Sequence, residues 1–257
     1  MTQEERRRYL IGYLIKEDPK YEDIDIPEDE YSQRRLLRAL MNVRMPADIE
    51  EEFIKIQDEY LKQETQRKGI TDIKDLKPIQ EDIYLWQGDI TTLRCGAIVN
   101  AANSGMTGCY VPNHGCIDNA IHTYAGVQLR KKCYDIMRMQ GHEEETGKAK
   151  ITPAYDLPCD YIIHTVGPIV YYELTKKEKE LLRSCYRSCL ELADSYHISS
   201  IAFCCISTGE FRFPNDIAAK IAVETVKGYK EETGSEIEVI FNVFKDEDAL
   251  IYKRLLG

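Results

Sequence analysis

Three residues within eight positions have the chemistry to hold a metal: Cys109, His114 and Cys116, in the stretch Cys-Tyr-Val-Pro-Asn-His-Gly-Cys. Two thiolates and an imidazole suit a borderline-soft ion such as Zn²⁺, and three protein ligands leave a fourth position free. The spacing is not that of a zinc finger. Pro112, Asn113, Gly108 and Gly115 mark the stretch as a loop, where core packing explains three such side chains poorly. The competing reading is a pair of buried cysteines near an ordinary histidine. Asp118 follows two residues later and suits either a general base or the cap of the next helix.

Two further stretches place polar groups at strand ends. Gly88-Asp89-Ile90 precedes Ala97-Ile98-Val99-Asn100-Ala101-Ala102-Asn103, an apolar run closed by amides with only small side chains between them. Asn100 and Asn103 can meet a polyhydroxylated ligand or bond back to the main chain of a turn. Ile206-Ser207-Thr208-Gly209-Glu210-Phe211 leads toward Pro214 and a helical pattern. Its amides and hydroxyls suit a diphosphate, and equally an empty capped turn.

The elements that must position these groups fall into two parts. Residues 1–76 are highly charged, with glycine only at Gly12 and Gly69. Leu10, Tyr13 and Leu14, then Leu36, Leu37, Leu40 and Met41, then Phe53, Ile56 and Tyr60 predict three helices. Pro27 and Pro46 are expected in the first turns of the second and third. One-sided apolar faces are unstable alone, so this extension is expected to pack against the rest. Residues 77–257 alternate short apolar runs with helical patterns. Strands are expected at 83–86, 97–99, 149–151, 161–166, 201–205 and 237–244, and helices at 126–138, 176–196, 215–229 and 246–255. The alternation predicts an α/β fold, a largely parallel sheet covered by helices on both faces, with ligands beyond the carboxyl ends of the strands.

Composition narrows the partners. A net charge of −10 argues against a broad nucleic-acid surface but permits one bound nucleotide. No apolar run reaches membrane-spanning length and no secretion signal opens the chain, so a cytoplasmic protein with reduced thiols is expected, although it carries nine cysteines. His164, flanked by apolar residues, is expected to be a hydrogen-bonded core histidine. Cys185 and Cys189 are expected to be core thiols, and His142 with Glu143 to Glu145 a solvated loop.

In order and spacing, G-D-I at 88–90, A-I-V-N-A-A-N at 97–103, T-G-K-A-K-I-T at 146–152, Y-I-I-H-T-V-G-P at 161–168 and I-S-T-G at 206–209 resemble the macrodomain family across roughly residues 82–257. I-D-N-A-I-H-T-Y-A-G at 117–126 is similar to the hydrolytic MacroD-type branch. The run of glycines usual before it is replaced by M-T-G-C-Y-V-P-N-H-G-C. That replacement, with the helical extension, is similar to the zinc-containing bacterial macrodomains linked to sirtuin-type ADP-ribosyltransferases.

The resemblance implies a three-layer α/β/α fold with a mixed, largely parallel sheet, and a zinc-dependent hydrolase that removes mono-ADP-ribosyl groups from protein side chains, Asp or Glu above all. By resemblance, Asp89 accepts from the adenine amino group, Ile90 lies alongside the base and Phe244 stacks on it. Ser207, Thr208, Gly209, Glu210 and Phe211 line the diphosphate and distal ribose, Asn103 orients that ribose, and Asp118 assists water attack. Two rival expectations use the same cleft: a reader that binds ADP-ribose without cleaving it, and a deacylase of O-acyl-ADP-ribose.

Overall fold

The computed structural model describes residues 1–257. Thr2 and Glu5 start helix α1 (Gln3–Glu17) reciprocally, each side chain accepting from the other's backbone N–H. Helices α2 (Glu30–Val43) and α3 (Glu51–Lys68) follow. Neither begins at a proline. Asp29 caps α2 by accepting from Ser32 N at 2.8 Å, so Pro27 lies outside the helix. Pro46 likewise precedes the cap residue of α3, Glu50. Leu10, Ile11, Phe53, Tyr60, Leu37 and Leu40 cover one another in a small separate core, to which the rest of the chain adds Val127, with Tyr124 packed against it. The apolar faces are therefore satisfied mainly within the extension. Its union with the body is chiefly polar.

Strand β1 (Thr71–Asp72) pairs in parallel with β3 (Leu93–Arg94). The main sheet contains β2 (Ile83–Gln87), β4 (Ala97–Ala102), β5 (Ala149–Pro153), β6 (Tyr161–Val166), β7 (Ser200–Phe203) and β8 (Glu238–Val243). Its order is β2-β8-β7-β4-β6-β5, parallel throughout except for β5, which runs antiparallel on β6. Strands buried on both faces read as continuous apolar runs rather than alternating ones, as β4, β7 and β8 do.

Helices α4 (Ile117–Ala125), α5 (Val127–Gln140), α6 (Lys176–Ser195), α7 (Asn215–Thr233) and α8 (Asp246–Leu256) cover the sheet. The period of two in β6 assigns the faces: His164 lies 3.9 Å from Cys133 of α5, while its neighbour Thr165 meets Cys185 of α6. The result is the three-layer α/β/α arrangement. No helix is long and apolar enough to cross a membrane.

Candidate active site

Parallel strands deliver their carboxyl ends to one edge of the sheet. Gln87 and Val243 are register partners, so Asp89 and Phe244 emerge side by side beyond β2 and β8. Asn103 leaves β4, and the Ser207 loop leaves β7 between them. Three strand spacings separate β2 from β4, about 14 Å, which gives an elongated ligand a track with distinct ends.

At the β4 end, Asp118 lies in the first turn of α4 and is 5% exposed. Asn100 Nδ2 donates to its Oδ1 at 2.8 Å, and Asn103 Nδ2 approaches its Oδ2 at 3.4 Å. Burial raises the Asp118 carboxyl to about 6, against the opposing effects of Asn100 and Arg130. That places its proton affinity near the working range of a general base. Asn103 satisfies the turn as that reading of the asparagines expects: its Nδ2 donates to the carbonyl of Gly108 at 3.1 Å, while the residue stays exposed. Asn100, fully buried, contacts His164 Nδ1 at 3.1 Å, and His164 Nε2 faces Thr152 Oγ1 at 3.0 Å. Burial lowers His164 to about 4, which makes it a neutral core histidine holding Asn100 in place.

His122 Nε2 stands 3.5 Å from Asp118 Oδ1, and burial holds His122 well below the usual imidazole range. Neither of its ring nitrogens has a hydrogen-bond partner. Gly108 explains why it stays covered. A Cβ there would lie 2.8 Å from the His122 ring, and the backbone already has φ +86°. Only glycine combines that conformation with that approach.

The ligand atoms of Cys109, His114 and Cys116 lie within 4.8 Å of one another, with Cys109 Sγ 3.6 Å from His114 Nδ1. Cys116 caps α4, its sulfur accepting from Asn119 N at 3.4 Å. A helix N-terminus favours thiolate, but burial prevails and pushes the Cys116 thiol up to about 12. A bound cation would reverse that balance, so this donor set fits Zn²⁺. A second cluster, His122, Cys133 and His164, is wholly buried.

The β7 loop reaches the same place. Glu210 Oε1 lies 3.6 Å from His114 Nε2. Ser207 adopts φ +66°, and its buried hydroxyl has no partner. A Cβ on Gly167 would lie 2.1 Å from that hydroxyl, so the two loops touch only because Gly167 lacks one. Thr208 Oγ1 donates to Cys205 O at 3.0 Å, Gly209 and Glu210 are exposed, and Phe211 is half-buried.

At the other end, Asp89 is occupied. It accepts from Thr91 N at 3.0 Å, Thr91 Oγ1 at 2.6 Å and Lys68 Nζ at 2.9 Å. Phe244 is 76% exposed, an aromatic face open to a base. The Ile90 side chain, 5% exposed, belongs to the core, so any ligand contact there would fall to its main chain.

Several residues carried no sequence signal. Lys68, Arg38, Asn42 and Arg130 surround the site, and Glu144, expected in a solvated loop, is buried beside Lys150 with its N–H donating to Ser104 O at 2.8 Å. Cys185 and Cys189 are core thiols as expected, and all nine cysteines are unpaired. A wide furrow of about 430 Å³ along α3, lined by five charged side chains and Ile54, includes none of these site residues.

The carboxyl edge of the sheet thus brings together the buried Asp118 carboxylate, the exposed amide of Asn103 and the loop after β7. The Macro domain model matches residues 99–222. A protein-ADP-ribose hydrolase of Treponema medium is 55% identical over all of both chains. A probable bifunctional ADP-ribose hydrolase/ADP-ribosyltransferase of Fusarium oxysporum f. sp. cubense is 40% identical over 88% of this chain and 41% of its own length. Among solved structures, a Trypanosoma brucei macrodomain in complex with ADP-ribose superposes with a TM-score of 0.67 at 29% identity, over 86% of this chain and 95% of that one. The chain belongs to the macrodomain family, as the strand-end motifs imply.

Proposed function

We propose that this chain is a zinc-dependent hydrolase that removes mono-ADP-ribosyl groups from protein side chains, with Asp and Glu as the acceptor class, and that it reverses the work of a sirtuin-type ADP-ribosyltransferase. The observation that carries this reading is the convergence of Asp118, Asn103 and the Cys109, His114, Cys116 cluster at one end of the track. A reader has no need of a carboxylate tuned to about 6 beside a metal-ligand set. The full-length likeness to a protein-ADP-ribose hydrolase supports hydrolysis, and a relative whose name joins hydrolase to transferase supports a paired enzyme.

In this reading Phe244 and Asp89 hold the base, and Ser207, Thr208, Gly209, Glu210 and Phe211 hold the diphosphate and distal ribose. Asn103 orients the ribose, and Asp118 takes a proton from the attacking water. Zn²⁺ held by Cys109, His114 and Cys116 would supply Lewis acidity at the scissile end.

The test follows free ADP-ribose released from a mono-ADP-ribosylated carrier, with and without a chelator. Release that stops on complete metal removal is expected. Binding without release would make the protein a reader, and undiminished release without metal would leave the ion a structural role. Asp118→Ala is expected to lower turnover at least ~100-fold with little change in ADP-ribose affinity. Cys116→Ala is expected to lose zinc, measured by elemental analysis, together with activity.

A further inference from the structure

The loop that carries the metal-ligand set is anchored from outside the α/β body. Arg38, on α2, donates through Nη2 to His114 O at 2.9 Å and to Asn119 Oδ1 at 2.7 Å, with Nε adding a bond to the same oxygen at 3.1 Å. Asn119 in turn donates to Val111 O at 3.0 Å. Asn42, also on α2, accepts from Asn113 N at 2.9 Å and donates to Thr123 Oγ1 at 3.0 Å. Arg130 completes the frame. Its guanidinium donates to Asn42 O at 2.6 Å and Arg44 O at 2.7 Å, closing the end of α2, and to Cys109 O at 3.3 Å.

The loop is thus held at Cys109, Val111, Asn113 and His114, and every one of those ties runs to α2 or to a residue bonded to α2. We propose that α2 is a brace for this loop, with Arg38 and Asn42 as positioning residues that set where Cys109 and His114 stand relative to Asp118. Both act on main-chain atoms or on α4, and neither side chain belongs to the metal-ligand set. A planar guanidinium bridging a loop carbonyl and a helix side chain fixes direction as well as distance, which a lysine cannot reproduce. Docking of the extension is separable from bracing. Gln57 of α3 accepts from Val127 N at 3.0 Å and donates to Gln128 at 2.7 Å, away from the loop.

The turnover measurement rests on the hydrolase reading above; the exchange measurement does not. Hydrogen exchange of the 110–116 amides is measured in the full chain after chelation, for the parent, Arg38→Ala, Arg38→Lys, Asn42→Ser and Gln57→Ala. Arg38→Ala is expected to exchange there at least tenfold faster, Arg38→Lys and Asn42→Ser by less, and Gln57→Ala at the parent rate. In the metal-loaded proteins, the same order is expected in the rate at which a chromophoric chelator strips zinc. It is also expected in a loss of kcat, about tenfold for Arg38→Ala, with KM within about threefold. Should Arg38→Ala not fold, the lysine and serine variants carry the comparison. Unchanged loop exchange in the Arg38 and Asn42 variants, or equal acceleration in Gln57→Ala, would overturn the brace. Faster loop exchange in the Arg38 and Asn42 variants of a parent that shows no hydrolytic activity would retain the brace and sink the hydrolase reading instead.

Discussion

At the level of single residues, the site depends on what is kept away from water. Asp118 is tuned by burial, and His122 is covered because Gly108 allows the turn to lie on its ring. Gly108→Ala is expected to destabilise the fold by about 1–3 kcal/mol, since it adds both a clash and an unfavourable φ. Urea unfolding would register this as a lower midpoint at unchanged slope. A midpoint equal to the parent's would show that the turn yields freely. Arg130 is the counterpart on the other side, a buried cation whose charge is spread over backbone carbonyls of α2 and the Tyr110 ring 4.2 Å away.

Between elements, α3 meets the segment after β5 through an ill-matched pair. Asp156 is 5% exposed, and burial with the nearby Asp58 carboxylate raises it to about 7, although Lys62 lies 3.3 Å from its Oδ1. Lys62 is 58% exposed, so water screens its help. Between the ordinary carboxyl range near 3.8 and about 7, the folded protein holds a proton that the unfolded chain has lost. The Asp156 contribution to stability should therefore fall as pH rises through that window and level off above it, a change of roughly 4 kcal/mol at most. Asp156→Asn should be the more stable protein at pH 8 and should lose most of that slope, as read by denaturant titrations at several pH values. Equal pH slopes for the parent and Asp156→Asn over that window would refute this account.

The same scale shows what could be read in advance. The six main strands and the helices from α5 onward follow continuous apolar runs and helical spacing, and Cys109, His114 and Cys116 were visible because they are close in sequence. Arg38, Asn42 and Arg130 were not, because their partners lie some 70 to 90 residues away and nothing local marks a cation or amide for a distant carbonyl. The pairing of β1 with β3 has two residues a side, too few for a period. Glu144 looked solvated because its neighbours are acidic; a single lysine, Lys150, permits its burial.

For the molecule as a whole, the extension has its own core but shares its boundary with the catalytic body. Removing residues 1–69 would bare Val127 and Tyr124 and strip Arg130 of the Met41, Asn42 and Arg44 carbonyls. Loss of several charge-assisted bonds at once costs several kcal/mol. The shortened chain is therefore expected to aggregate or unfold at temperatures where the parent is native, which sedimentation and circular dichroism would reveal. A monodisperse, active fragment would contradict that expectation.

Lys68 ends α3 with its ammonium 3.3 Å above the Tyr124 ring centroid and paired to Asp89. The carboxylate proposed to meet the base is thus already a handhold of the extension. A ligand that drew Asp89 away from Lys68 would loosen that grip, and by reciprocity the grip would then lower the ligand's affinity by the same factor. Occupancy of that end of the track would thereby be linked to how firmly Lys68 seats the end of α3.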